Sequence, residues 1–248
     1  MHDHVLFDGS SSYGHYQVAD VAYAGRPARM LYSGDGDAAQ SGMALDGNDE
    51  LLFDYNQRFI ELLRGLVPKR VLIIGGGAFT LPTALQREMP NSSLDVVERD
   101  PVLLAVAVTY FDFKPASRTR IYMGDGIDFL EQAAGRYDAI IVDVFIDAMV
   151  PLVFQTEATA RQYRQLLLPH GLVAMNVIGD YYGSRGNSAL GRQAAVFQAA
   201  FQDVQIFPAG PHLSLWMPQN FVVIAQPLPR EITWMRSRPI QTLYSAQT

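Results

Sequence analysis

The segment spanning residues 69–100, KRVLIIGGGAFTLPTALQREMPNSSLDVVERD, constrains the fold more than any other part of the chain. Residues 70–74 form a short, mostly β-branched apolar run of the kind buried on both faces of a parallel sheet, and three consecutive glycines follow at once. This is a strand running into a tight turn. Residues 80–88 then form a helix, in which Pro82 is tolerated because it falls in the first turn. A second strand over 94–97 ends in Glu98. The spacing is that of a nucleotide-type cofactor site: Gly75, Gly76 and Gly77 let the backbone approach a ligand, and an acid about 20 residues on, Glu98, meets ribose hydroxyls. Any tight strand-to-helix connection also needs such a turn, so the segment alone leaves a purely structural reading open. Thr80 stands where a nicotinamide fingerprint has its third glycine, which counts against a dehydrogenase.

The flanking chain repeats the alternation. Residues 5–31 have strand character, and HYQVADVAY, AGRP and ARMLYS read as a β-hairpin broken at Gly25 and Pro27. The stretch GDGDAAQSGMALDGNDE over 34–50 reads as a long polar loop, a kind more often functional than idle. A helix starts at Asp49, DELLFDYNQRFIELLRGL, with its apolar residues roughly on one side. After Glu98, Pro101 opens a helix to about residue 111. A strand over 120–123, a short helix over 127–134 and a fourth strand over 137–142 follow, the last running into Asp143. Beyond the irregular VFIDAMVPLVF come a helix through TEATARQYRQLLLPH, a fifth strand LVAMNVI, a helix over 188–201 and two strands, 204–207 and 220–225. Strands separated by helix-length units specify an α/β, doubly wound, Rossmann-like parallel sheet, and the short last connection specifies a C-terminal antiparallel hairpin. The chain divides into an N-terminal β-hairpin region (1–48), a nucleoside-binding domain (49–226) and a loosely held tail (227–248) with few apolar anchors.

Composition narrows the function. A formal charge of −6 argues against a nucleic-acid partner, which needs a basic face, and is compatible with a cationic small substrate. With no cysteine, thiolate metal sites, disulfides and cysteine nucleophiles are excluded. His2, His4 and His15 have no matching carboxylate cluster, so no metal is expected. No apolar run approaches bilayer length and the start has no signal-like h-region, so the expectation is a cytoplasmic protein without a membrane partner.

In open sheets of this kind ligands bind beyond the carboxyl ends of the strands. Four such ends carry Gly75 to Gly77, Glu98, Asp125 and Asp143. Asp125, followed by Gly126 and Ile127, is placed to accept from the exocyclic amine of an adenine, although an aspartate here also caps the following helix. Glu98 accepts from ribose hydroxyls in charge-assisted bonds. Asp143 sits nearest a sulfonium or an incoming amine, where it stabilises a cation and accepts a proton.

The chain resembles the polyamine aminopropyltransferases, the spermidine synthase family, over roughly residues 5 to 226. VLIIGGG, VVERD, GDGIDFL and YDAIIVD stand in the family's order, preceded by a β-region and a DE-headed helix. The resemblance implies a class I methyltransferase-like fold, a homodimer, and a site in which Gln40, Glu98, Asp125 and Asp143 hold the sulfonium nucleoside or the amine. Three departures stand out. Where the family's glycine loop has an aspartate that holds the ammonium of decarboxylated S-adenosylmethionine, this chain has Ala78. The second acid after the catalytic aspartate comes one residue late, as Asp147. Counted from the DE pair, the family's Tyr-Gln or Tyr-His falls on Phe53 and Asp54, and Tyr55 one residue on is expected to point elsewhere, because a helix turns about 100° per residue.

These readings specify a spermidine synthase-like transferase that binds S-adenosylmethionine or its decarboxylated form and moves an aminopropyl group to a small amine. The alternatives are an S-adenosylmethionine-dependent methyl or alkyl transferase, favoured by Ala78, and a nucleoside-binding protein without turnover. Asp143 is the catalytic candidate; Asp54, Asp147, Tyr181, Tyr182, His212 and Trp216 are candidate acceptor contacts, the aromatic residues through cation–π boxing or simply as packing.

Overall fold

Two sheets organise the chain, of which the computed structural model describes residues 4–34, 38–146, 149–180, 189–210, 218–235 and 239–244. The first is an antiparallel sheet of β1 (His4–Ser10), β2 (His15–Tyr23), β3 (Arg26–Ser33) and β4 (Ala38–Ala44) in chain order. Ala24 and Gly25, both at positive φ (49° and 78°), make the two-residue turn between β2 and β3, the geometry that matches strand twist. The expected hairpin is therefore two strands short, and part of the expected loop over 34–50 is β4. Its sequence AAQSGMA lacks apolar alternation, and small residues are required there by close packing: a Cβ on Gly42 would lie 2.7 Å from the Met30 sulfur.

The main sheet runs β12-β10-β11-β9-β8-β5-β6-β7. Its parallel strands are β5 (Arg70–Ile74), β6 (Ser93–Glu98), β7 (Thr119–Met123), β8 (Tyr137–Val142) and β9 (Leu167–Gly179). β10 (Asp203–Pro208) and β11 (Gln219–Gln226) add the antiparallel hairpin, with β11 against β9. Among the described residues, six helices connect and cover the strands: α1 (Asp54–Leu66), α2 (Thr80–Glu88), α3 (Pro101–Tyr110), α4 (Gly126–Gln132), α5 (Glu157–Leu166) and α6 (Ala189–Gln198). Alternate residues of β5 serve opposite faces: Leu72 and Ile74 pack towards α5 and α6, Val71 and Ile73 towards α1 and α2. Burial on both faces explains the unbroken apolar run.

Three boundaries differ from expectation. α1 begins at Asp54, five residues late, because Asp46 and Asn48 accept from the backbone N–H groups of Asn48 (3.0 Å) and Glu50 (3.1 Å), and these local turns compete with helix. α5 stops at Leu166, since Leu167 already pairs with Tyr137 as the start of β9. The tail is anchored: Ile232 and Met235 are buried, Trp234 Nε1 donates to Leu62 O (3.2 Å), and β12 (Gln241–Tyr244) pairs with β10. No helix among the described residues is long and apolar enough to cross a membrane.

Candidate active site

The strand order reverses between β5 and β8: β6 and β7 extend the sheet beyond one, β9 beyond the other. Such a reversal opens a crevice beyond the strand ends. A cleft of about 540 Å³ lies there, lined by the glycine loop, the acid-bearing strand ends and the first helix on one side and by Tyr16, Tyr23, Gln40 and Ser41 of the first sheet on the other.

Each loop glycine is demanded by the chain's own packing. Gly75 has φ +95°, and a Cβ there would lie 2.2 Å from the Asp143 carbonyl oxygen, so this residue lets β5 and β8 close on each other. On Gly76 a Cβ would strike the Phe79 ring at 2.5 Å, and on Gly77, at φ +53°, it would meet Ser41 Oγ at 2.8 Å. Ser41 in turn accepts from Ala78 N (3.1 Å), stitching β4 to the loop.

Glu98 is buried beneath that loop. Its Oε2 accepts from Gly76 N (2.8 Å) and Gly77 N (3.3 Å) and its Oε1 from Asp100 N (2.8 Å). Burial raises its pKa against the pull of these bonds. Asp100, which the sequence reading passed over, caps α3 through Val102 N (2.9 Å) and takes Ser11 Oγ (2.5 Å) and the Tyr16 hydroxyl, tying the first sheet to the second. Asp125 is exposed, lines the cleft and caps α4 through Ile127 N (2.7 Å), so the capping reading holds. Gly126 is buried; a Cβ there would lie 2.6 Å from Ile74. Gln40 lines the cleft from β4, and Asp54 lines it from the start of α1.

Asp143 lies recessed at the floor. Asn176 Nδ2 donates to its Oδ1 (3.0 Å), the Tyr55 hydroxyl donates to the same carboxyl, and Asn56 donates to that hydroxyl. Burial pushes its pKa up to about 6, opposed by Asn176 and Tyr55. Tyr55 thus corrects the expectation that it points elsewhere. Phe53 is the extended N-cap of the helix, at φ −96° and ψ 128°, so the 100° rule does not relate it to Tyr55. The two rings stack at 5.8 Å, Tyr23 meets Phe53 edge-on at 5.9 Å, and Tyr55 with Asn56 supplies the hydroxyl and amide sought at Phe53 and Asp54. Asn56 is buried on the cleft wall with its Oδ1 unpartnered.

Ala78 requires a second correction. It is fully buried among Tyr16, Val18, Leu31, Leu103, Val106 and Phe111 and does not line the cleft, so a donor would not lie against its side chain. Asp147, Tyr181, Tyr182, His212 and Trp216 lie outside the described residues. Asn176 and Asn220 were missed altogether; their one signal was a lone amide in each of two apolar runs, LVAMNVI and NFVVIA.

Residues 60–176, which carry β5 through Asn176, match the spermine/spermidine synthase domain. Over that segment, just under half of its length, the chain is similar to this family. Among relatives, the polyamine aminopropyltransferase of Vibrio vulnificus (strain CMCP6) is 36% identical over 112 residues, 44% of this chain and 38% of that protein. Putrescine N-methyltransferase 1 of Nicotiana tabacum is 35% identical over 147 residues, 56% of this chain and 36% of that protein. The chain therefore spans well under half the length of either. A crystal structure of a probable spermidine synthase from Corynebacterium glutamicum superposes with a TM-score of 0.75 at 23% identity, covering 91% of this chain and 81% of that one, a likeness of fold.

Proposed function

We propose that this chain, similar to the spermidine synthase family, is a transferase that binds S-adenosylmethionine or its decarboxylated form and alkylates a small amine, with aminopropyl transfer as the leading reaction. The observation that carries this reading is Asp143: a recessed carboxyl at the strand-order reversal, in one cleft with Glu98 and Asp125. In this reading Gly75, Gly76, Gly77 and Gly126 shape the nucleoside seat, Glu98 meets the ribose, Asp125 the adenine amine, and Gln40 closes the donor from β4. The amine lone pair attacks the carbon next to sulfur; the carbon–sulfur bond breaks, its electrons return to sulfur, and the amine's proton passes to Asp143. Holding the pair in line supplies most of the rate, so little other chemistry is asked of the chain. Asp54, Asp147, Tyr181, Tyr182, His212 and Trp216 are proposed acceptor contacts, and the family resemblance supports a homodimer.

Methyl transfer is the second reading. It is favoured by similarity to a putrescine N-methyltransferase. Calorimetric titration with S-adenosylmethionine, its decarboxylated form and methylthioadenosine, followed by mass analysis of incubations with candidate amines, separates the two. An 'aminopropyl' mass gain from the decarboxylated donor supports the first, and a methyl gain from the intact donor the second. Binding without turnover for any amine would favour a non-catalytic nucleoside-binding protein.

A further inference from the structure

Asn176 is 1% exposed, inside a strand whose neighbours Ala174, Met175 and Val177 are buried apolar residues. An amide so placed needs partners for both its ends. Its Nδ2 donates to Asp143 Oδ1 (3.0 Å), and its Oδ1 accepts from Asn220 Nδ2 (2.9 Å). Asn220 reaches it diagonally across the β9–β11 pair, where Val222 is the residue opposite Asn176 and Asn220 the one opposite Ile178. The antiparallel hairpin thus supports the carboxyl at the end of a parallel strand.

An amide can turn end for end with little change of shape, and its neighbours decide which end faces which. We propose that Asn220 is a positioning residue: by donating to Asn176 Oδ1 it holds the Asn176 amide with its N–H towards Asp143, keeping a second donor beside Tyr55 on the carboxyl that takes the proton. With the amide reversed, a carbonyl oxygen would face the carboxylate and disfavour its charge. Tyr55 from α1 is the titratable group on Asp143, Asn176 from β9 is uncharged, and the glycine loop after β5 brings no ionisable side chain.

The proposal rests on the assignment of Asp143 as proton acceptor for its consequence in catalysis, but its geometry is testable without turnover. The titration of Asp143 is followed by ¹³C NMR in protein labelled at the aspartate carboxyl carbon, with its resonance identified by loss in Asp143→Asn. The wild-type midpoint is expected at about 6. Asn220→Leu should raise it by about half a unit and Asn176→Leu by about one. The double variant should go no further than Asn176→Leu, since Asn220 acts through Asn176. Asn220→Asp, close in size and reversed in polarity, should exceed the Leu variant and serves if Leu does not fold. An unmoved midpoint in Asn220→Leu or, failing that, Asn220→Asp, or an Asn220 effect that persists in the Asn176→Leu background, would overturn the proposal. If the midpoints move as expected while no amine is alkylated, the relay stands and the transferase reading falls.

Discussion

Asp143 holds two opposed influences in one carboxyl. Burial favours the neutral acid and two donors favour the anion, and the balance lies at about 6 against an ordinary 3.8. The folded state therefore keeps this proton more tightly than the unfolded chain, so the stability present below about pH 4 is lost as pH rises through about 6. Asparagine carries no such penalty. Asp143→Asn should raise stability by on the order of 2 kcal/mol at pH 8 and leave it nearly unchanged at pH 4, measured by urea unfolding at both values. Transfer by the wild type should fall as pH drops through 6, and the variant should lose at least about a hundredfold at pH 8; wild-type rates in the variant at that pH would remove Asp143 from the chemistry. Asp143, Glu98 and Asp125 were legible as cleft residues because each stands at or just past the end of a strand in a run of local pattern. Tyr55 was not, because its direction depends on where α1 begins, and neither was the Asn220–Asn176 pair, because contact between residues 44 apart in the chain leaves no local trace.

Among the elements, α1 carries the most consequence, since it brings Asp54, Tyr55 and Asn56 to the cleft and is held in place by the tail. A Cβ on Gly65 would lie 1.9 Å from the Trp234 indole. Alanine is favoured over glycine in a helix by about 1 kcal/mol, but here the overlap decides the sign. Gly65→Ala should displace Trp234, destabilise the protein by about 2 kcal/mol, and speed amide exchange over residues 230–235. Equal or greater stability would show that the strap does not bear on the helix. The same helix ends on Val67, 78% exposed and in the left-handed region at φ 51° and ψ 57°. A β-branched residue is poorly suited to that conformation and no packing is lost by trimming it, so Val67→Gly should gain about 1 kcal/mol in urea unfolding. The parallel strands and the hairpin were readable from period and spacing, whereas β4 and β12 form because of what they pair with.

At the scale of the whole molecule, the cleft belongs to neither sheet alone. Tyr16, Val18 and Leu31 of the first sheet share a buried cluster with Ala78 of the glycine loop and Leu103, Val106 and Phe111 of α3 and its C-cap, and Arg29 Nη1 donates to Tyr110 O (2.9 Å). The polar seam runs alongside, through Ser11 and Tyr16 on Asp100 and through Ser41 on Ala78 N. The glycine loop is consequently gripped from three directions: by Glu98, by the Phe79 ring and by Ser41. Its rigidity before a ligand arrives depends on the sheet that the sequence presents as a mere preface. Ser41→Ala removes the acceptor of a buried N–H and should cost about 1–2 kcal/mol. It should also loosen the loop, so that methylthioadenosine binds several-fold more weakly and the thermal shift at a fixed, saturating concentration shrinks. Calorimetry on the variant distinguishes the two effects: lower stability with undiminished affinity would mean that the seam holds the sheets together without shaping the nucleoside seat.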